Sequence, residues 1–190
     1  MKTISKWLAV SYLAIAMLIV GLSTSTQASE NFPNTMNYEG VELRLNGQGT
    51  RTMFSSMKIY ESGLYLMSGS NDPEKIISED SAMGVRMEVI SAMLSAEKMK
   101  YAFNKSLINS TQNNTQPIAD QIEQFMASFE TVSAGDIWKF IYLPQSGLHV
   151  LRNSELRTIV SGLEFKKALL GVWLSDNSVQ ESLKKEMLGN

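Results

Sequence analysis

The chemistry of this chain concentrates in Leu45-Asn46-Gly47-Gln48-Gly49-Thr50-Arg51 and, a little further on, Tyr60-Glu61-Ser62-Gly63-Leu64-Tyr65-Leu66. Two glycines let a backbone turn or bulge sharply, and here they deliver one arginine onto what reads as a sheet. A guanidinium is charged at every accessible pH and presents a rigid fork of donors, suited to carboxylate or enolate oxygens. A second interpretation stands beside the first. Asn-Gly between alternating apolar residues is a strong hairpin signal, and an arginine after a turn is commonly solvated.

Other chemistries are excluded cheaply. The chain has one histidine and no cysteine, so no metal cluster built on those ligands is available. His149 lies between Leu148 and Val150 in a strand-like run, where an exposed or hydrogen-bonded ring is the expectation. Gly47-x-Gly49 lacks the third glycine and following helix of a dinucleotide site, and no serine-nucleophile elbow or phosphate loop occurs. No cofactor is implied.

The elements that must position Arg51 read as follows. Val41, Leu43 and Leu45 alternate with Glu42 and Arg44, a period of two with one buried face. Strand character resumes at Met57 and Ile59 after the glycine turn and runs to Leu66. A polar connection, 68–81, holds a short helix with Asp72 as N-cap and Pro73 in the first turn. Val85 to Ile90 alternates again. Ser95 caps a helix over 96–107 with the stripe Ala96, Met99, Phe103, Leu107, and Pro117 opens another carrying Ile118, Ile122, Phe125, Met126 and Phe129. Strands over 138–143, 148–151 and 156–160 follow. Phe165, Ala168, Leu169, Val172 and Trp173 mark a further helix. Ser178 with Glu181 forms a capping box for the last one, which ends at Gly189. Strands, helices, strands, helices in segregated runs argue an α+β domain with helices on one face of a mainly antiparallel sheet.

The amino terminus reads as an address. Lys2 and Lys6 precede an apolar run, Trp7 to Leu22, shorter than the ~20 residues of a spanning helix. Thr26 and Ala28 suit a cut before Ser29. The expected organisation is therefore a signal peptide over 1–28, a flexible segment over 29–37 and one domain over 38–190. It predicts export to a periplasmic or external compartment, with no stable membrane insertion after cleavage. Removal of Lys2 and Lys6 leaves 15 of 17 basic residues against 19 acidic ones. An acidic balance of that kind argues against a nucleic-acid or anionic-membrane partner, which would select for a basic face.

The blocks Leu45-Asn46-Gly47-x-Gly49-x-Arg51, Ile59-Tyr60-x-x-Gly63-Leu64-Tyr65-Leu66 and Phe165-x-x-Ala168-Leu169-x-x-Val172-Trp173-Leu174, with terminal Leu188-Gly189, resemble the chalcone isomerase fold superfamily, and in particular its bacterial exported chalcone isomerase-like members. The resemblance runs from about Glu39 to Gly189. It implies an open-faced sandwich, a large antiparallel sheet with a layer of helices on one face and a ligand cleft between them. Plant enzymes of the family close chalcones to flavanones, and other branches bind fatty acids, with an arginine and a nearby tyrosine on the carboxylate. Arg51 matches the family arginine. Tyr60 falls where enzymes place a threonine and fatty-acid binders can place a tyrosine. The enzymes' tyrosine and asparagine, seven apart, have no counterpart in 91–104; Tyr101 and Asn104, three apart on one helix, are the nearest substitutes. A further enzyme hydroxyl aligns with Val172.

Loss of even one preorganised donor typically costs 10²–10³ in rate, which weighs against flavonoid cyclisation. A guanidinium and a tyrosine hydroxyl at the mouth of an apolar cleft instead suit a carboxylate-headed amphiphile. The resemblance thus implies a non-catalytic binder of a fatty acid or similar apolar anion, with Arg51, Tyr60, Tyr101 and Asn104 as candidate ligand-binding residues and Met57, Met87, Phe103, Phe125 and Trp173 as walls. Two alternatives remain open: an isomerase or intramolecular lyase acting on a phenolic or enone substrate through Arg51 and Tyr60, and a partner-binding module whose cleft its own side chains fill.

Overall fold

The computed structural model describes residues 32–54 and 56–190; the expected signal segment and the start of 29–37 lie outside the described residues. Seven strands succeed one another as sheet neighbours: β1 (Thr35–Tyr38), β2 (Val41–Met53), β3 (Met57–Leu66), β4 (Met83–Val89), β5 (Ile137–Leu143), β6 (Gly147–Arg152) and β7 (Glu155–Val160). Every adjacent pair is antiparallel. Helix α1 (Pro73–Ser78) joins β3 to β4. Between β4 and β5 lie α2 (Ala96–Ser110), a 3-10 turn (Gln116–Ile118) and α3 (Ala119–Ala127). Helices α4 (Leu163–Leu174) and α5 (Glu181–Met187) close the chain. This is the α+β open-faced sandwich that the sequence predicts.

The period of two decides the faces. On β4, Met83, Val85, Met87 and Val89 join the helix-side core, whereas Gly84, Arg86 and Glu88 point away. Phe103 of α2 is central to that core: its ring centroid lies 5.2 Å from Phe125, 5.4 Å from Phe129, 5.7 Å from Phe140 and 5.9 Å from Trp173. Helix α4 is buried on nearly every side, as an almost wholly apolar helix must be.

The sheet curls. Tyr38, on the β1 edge, donates to or accepts from His149 Nδ1 on β6 at 2.9 Å, although four strands separate them in the sheet order. His149 is also bonded to Ser146 through Nε2, at 2.6 Å, so both ring nitrogens are occupied, as expected for a strand histidine. Beneath this curl sits a smaller core of Phe32, Met36, Leu43, Tyr65 and Ile141.

Three local expectations change. The described part of 29–37 is not loose: Phe32 and Met36 are buried, Phe32 lies over the Arg86 guanidinium at 4.4 Å, and β1 starts at Thr35. The described residues are therefore packed from Phe32 onward, because two apolar side chains there find a core. The glycine turn is absent as well. β2 runs without a break through Asn46-Gly47-Gln48-Gly49, with a bulge between Leu45 and Gly47, and the reversal comes only after Met53. Finally, α5 starts at Glu181 with Gln180 at its N-cap position, not at Ser178. The Asp72 and Ser95 caps do form, accepting from Lys75 N and Lys98 N respectively.

Candidate functional site

Arg51 and Tyr60 are directly opposite on β2 and β3, so their side chains leave the same face of the sheet. The two glycines serve a different purpose from a turn. A Cβ at Gly47 would lie 2.2 Å from the Glu186 carbonyl oxygen, and one at Gly49 would lie 1.9 Å from Glu186 Oε2. They form a bare strip of β2 on which the end of α5 rests. Asn46 secures the seat: its Nδ2 donates to the Met187 and Ser70 carbonyls, and its Oδ1 accepts from Ser70 N.

That seat brings Gln180 to Arg51. Gln180 Oε1 accepts from Arg51 Nη1 at 2.8 Å and from Thr52 N at 3.0 Å, while its Nε2 donates to Thr50 O and Ser182 Oγ. That side chain is engaged with β2 and makes no capping bond to its own helix. Arg51 Nη1 also donates to the Thr52 carbonyl. Among the described residues no carboxylate pairs with the half-buried Arg51, and its remaining donors are uncommitted. Glu186, the nearest acid in this seat, is directed instead at Thr50 N.

Tyr60 packs against the helix-side core while still reaching solvent in part. Burial pushes its pKa up to about 12, against the opposing pull of the Trp173 indole and the Arg51 charge. The hydroxyl is therefore a proton donor at neutral pH and is unsuited to act as a general base. The Trp173 indole N–H acts on the Tyr60 phenol yet reaches no acceptor at hydrogen-bonding geometry, and it is fully buried. Ser62, also fully buried, leaves the same face of β3 two residues from Tyr60, and its hydroxyl is without a partner. Buried polar atoms are nearly always paired, so two orphans beside Tyr60 mark a place where a polar guest or ordered water belongs.

Of the expected site residues, Arg51 and Tyr60 come together. Tyr101 and Asn104 project from the exposed side of α2, opposite the Met99–Phe103–Leu107 stripe, with Tyr101 72% exposed. Met87, Phe103, Phe125 and Trp173 are core, whereas Met57 is at the β2–β3 hairpin tip. Gln180 and the donor role of Trp173 escape a reading of the sequence; a tryptophan on an apolar helical stripe signals core and nothing more. No group of residues able to hold a metal ion occurs among the described residues.

The site makes one prediction at high pH. Burial also pushes Tyr65 up to about 12, and burial with the Asp80 carboxylate does the same for Tyr142. The unfolded chain releases these protons near pH 10, before the folded one does. Their contribution to stability is thus complete below pH 10 and is lost as pH rises from 10 towards 12. Tyrosinate absorbance from these three residues is expected to appear together with the loss of far-ultraviolet dichroism. Titration of all the tyrosines near pH 10 with the dichroism intact would contradict this account.

Comparison with known proteins follows the same lines. An uncharacterized protein of Haemophilus influenzae is 32% identical over 68 residues, a stretch covering 36% of this chain and 33% of that one. A fatty-acid binding protein of Arabidopsis thaliana has the same fold, with a TM-score of 0.66 at 13% identity over 83% of this chain and 90% of its own. The family model described as chalcone isomerase-like matches residues 24–189. With that match spanning the whole described domain, the chain belongs to the chalcone isomerase-like family.

Proposed function

We propose that this protein is an exported, non-catalytic binder of a fatty acid or similar apolar carboxylate, whose head group is held by Arg51. The observation that carries the proposal is a set of donors around Tyr60 with no carboxylate among the described residues to receive them. The Arg51 guanidinium has no carboxylate partner, the Tyr60 hydroxyl remains protonated, and the Trp173 indole N–H is buried and unpaired. An uncompensated half-buried cation is costly, and a ligand carboxylate offsets that cost while accepting from the neighbouring donors. Export rests on the positive n-region and the short apolar run of residues 1–28. The fatty-acid binding named for the Arabidopsis neighbour supports an apolar ligand in general.

The test is displacement of a fluorescent long-chain carboxylate from the delipidated protein, with organic extraction of the purified protein to identify what it carries. Arg51→Ala removes a charge-assisted hydrogen bond of about 1.5–3 kcal/mol and is expected to weaken binding by about 10- to 100-fold. Unchanged affinity in a folded Arg51→Ala variant would remove the proposed head-group site. Turnover of an enone by the wild type that Arg51→Ala abolishes would replace the binder with an enzyme.

A further inference from the structure

The end of the sheet beyond Arg51 and Tyr60 carries apolar side chains that nothing in the described chain covers. β2 and β3 continue past that pair to a hairpin tip where Met53 is opposite Met57. Phe54, at φ 50°, is 83% exposed there. Positive φ is a costly conformation for a bulky residue, and here it occurs beneath the most exposed large hydrophobic side chain described. The neighbouring loop adds to the patch. Ile90 N and Ser91 N both donate to the Ile59 carbonyl, holding the segment after β4 beside the start of β3, and Met93 in that segment is 60% exposed.

Carboxylates are sparse in the segments that form this end. The chain has 19 acidic residues, yet residues 51–59 and 90–96 contain none. The cations of this end, apart from Arg51 in the head-group site, are Lys58 and Lys98, whose ammonium donates to the Met93 carbonyl at 2.8 Å. The adjoining acids are Glu61, which pairs with Lys58, and Glu97 at the start of α2.

We infer that this tip docks in the interface of a lipid bilayer and that the protein exchanges its ligand there. An exposed tip of methionines and one phenylalanine, flanked by lysines and with no carboxylate in its own segments, suits the boundary between head groups and acyl chains. Each methylene withdrawn from a bilayer into water costs about 0.8 kcal/mol, so long-chain carboxylates reside in membranes and a carrier gains by meeting them at the surface. The exchange half of the inference rests on the function proposed above; the docking half does not. Among the described residues no helix is long and apolar enough to cross a membrane, so the contact is interfacial.

The experiment is flotation of the purified protein with vesicles of dioleoyl phosphatidylcholine. In parallel, transfer of a fluorescent long-chain carboxylate from protein to vesicles is followed as vesicle concentration rises. Phe54→Ser with Met93→Ser, two exposed substitutions, is expected to reduce flotation by about tenfold or more and to abolish the dependence of transfer rate on vesicle concentration. Arg51→Ala is expected to float like the wild type while losing the probe, so failure of ligand binding and failure of docking are distinguishable. A wild-type protein that remains in the lipid-free fraction overturns docking. So does a double variant that floats unchanged, or a tip that instead mediates a dimer detected by sedimentation and lost in the double variant.

Discussion

Gly47→Ala is expected to lower the melting temperature by about 10 °C and to weaken the proposed carboxylate binding at the same time. The added methyl would lie 2.2 Å from Glu186 O, 2.7 Å from Met187 O and 2.8 Å from Gly189 N. All three are backbone atoms, so no rotamer change relieves the overlap. Either β2 bows outward or the end of α5 lifts away, and lifting breaks the Asn46 bond to Met187 and displaces Gln180 from Arg51. Overpacking of this severity costs about 3 kcal/mol, which in a domain of this size corresponds to the stated shift. Gly69→Ala is the control: a methyl there meets only Asn46 Oδ1 at 3.6 Å, an ordinary contact. Calorimetric melts of both variants decide the matter. Equal, small shifts would mean that the α5 seat is not what the glycine preserves.

Lys166→Met is expected to cost about 3 kcal/mol or more despite the similar length of the two side chains. Lys166 is completely buried on α4. Its ammonium donates to the carbonyls of Ile76 and Ile77, both at 2.9 Å, and of Glu79 at 2.6 Å, closing the carboxyl end of α1. Burial pulls its pKa down to about 8, with Asp80 and Glu79 opposing, so at neutral pH the group is still largely protonated and three donors meet three acceptors. Methionine retains the packing of the stem and strands all three carbonyls. Lys167→Met is the comparison, since that lysine makes only a surface pair with Glu164 and should shift stability little. Chemical denaturation of the two variants tests this; a Lys166→Met protein as stable as the wild type would show that water can take over all three carbonyls.

What was legible in the sequence was what local physics determines. Asp72-Pro73 and Ser95 start helices because a cap is a bond over three residues, and both caps form. The alternation of β4 and the stripe of α2 were equally readable, since each needs only one apolar face. The meaning of Gly47 and Gly49 was not readable, because the reason for them sits at Glu186 on the opposite end of the chain. Gln180 was hidden for the same reason: its partners, Thr50, Arg51 and Thr52, are about 130 residues away. Lys166 looks like any solvated helical lysine until α1 is laid across it. The cross-strand pair of Arg51 and Tyr60 followed from likeness to a family and depended on hairpin register, which neither residue encodes alone.

The sheet order has a consequence for how the molecule comes into being. Each strand pairs with the next in sequence, so β1 to β4 and β5 to β7 can each zip up in turn, with the helical segment 90–136 between the two runs. The docking of α5 on β2 is a far longer closure, joining this helix to a strand early in the described residues. During synthesis the sheet can be built before that helix exists. The residues that hold Arg51 in place thus emerge about 130 residues after it, and the site is assembled only once α5 has been made.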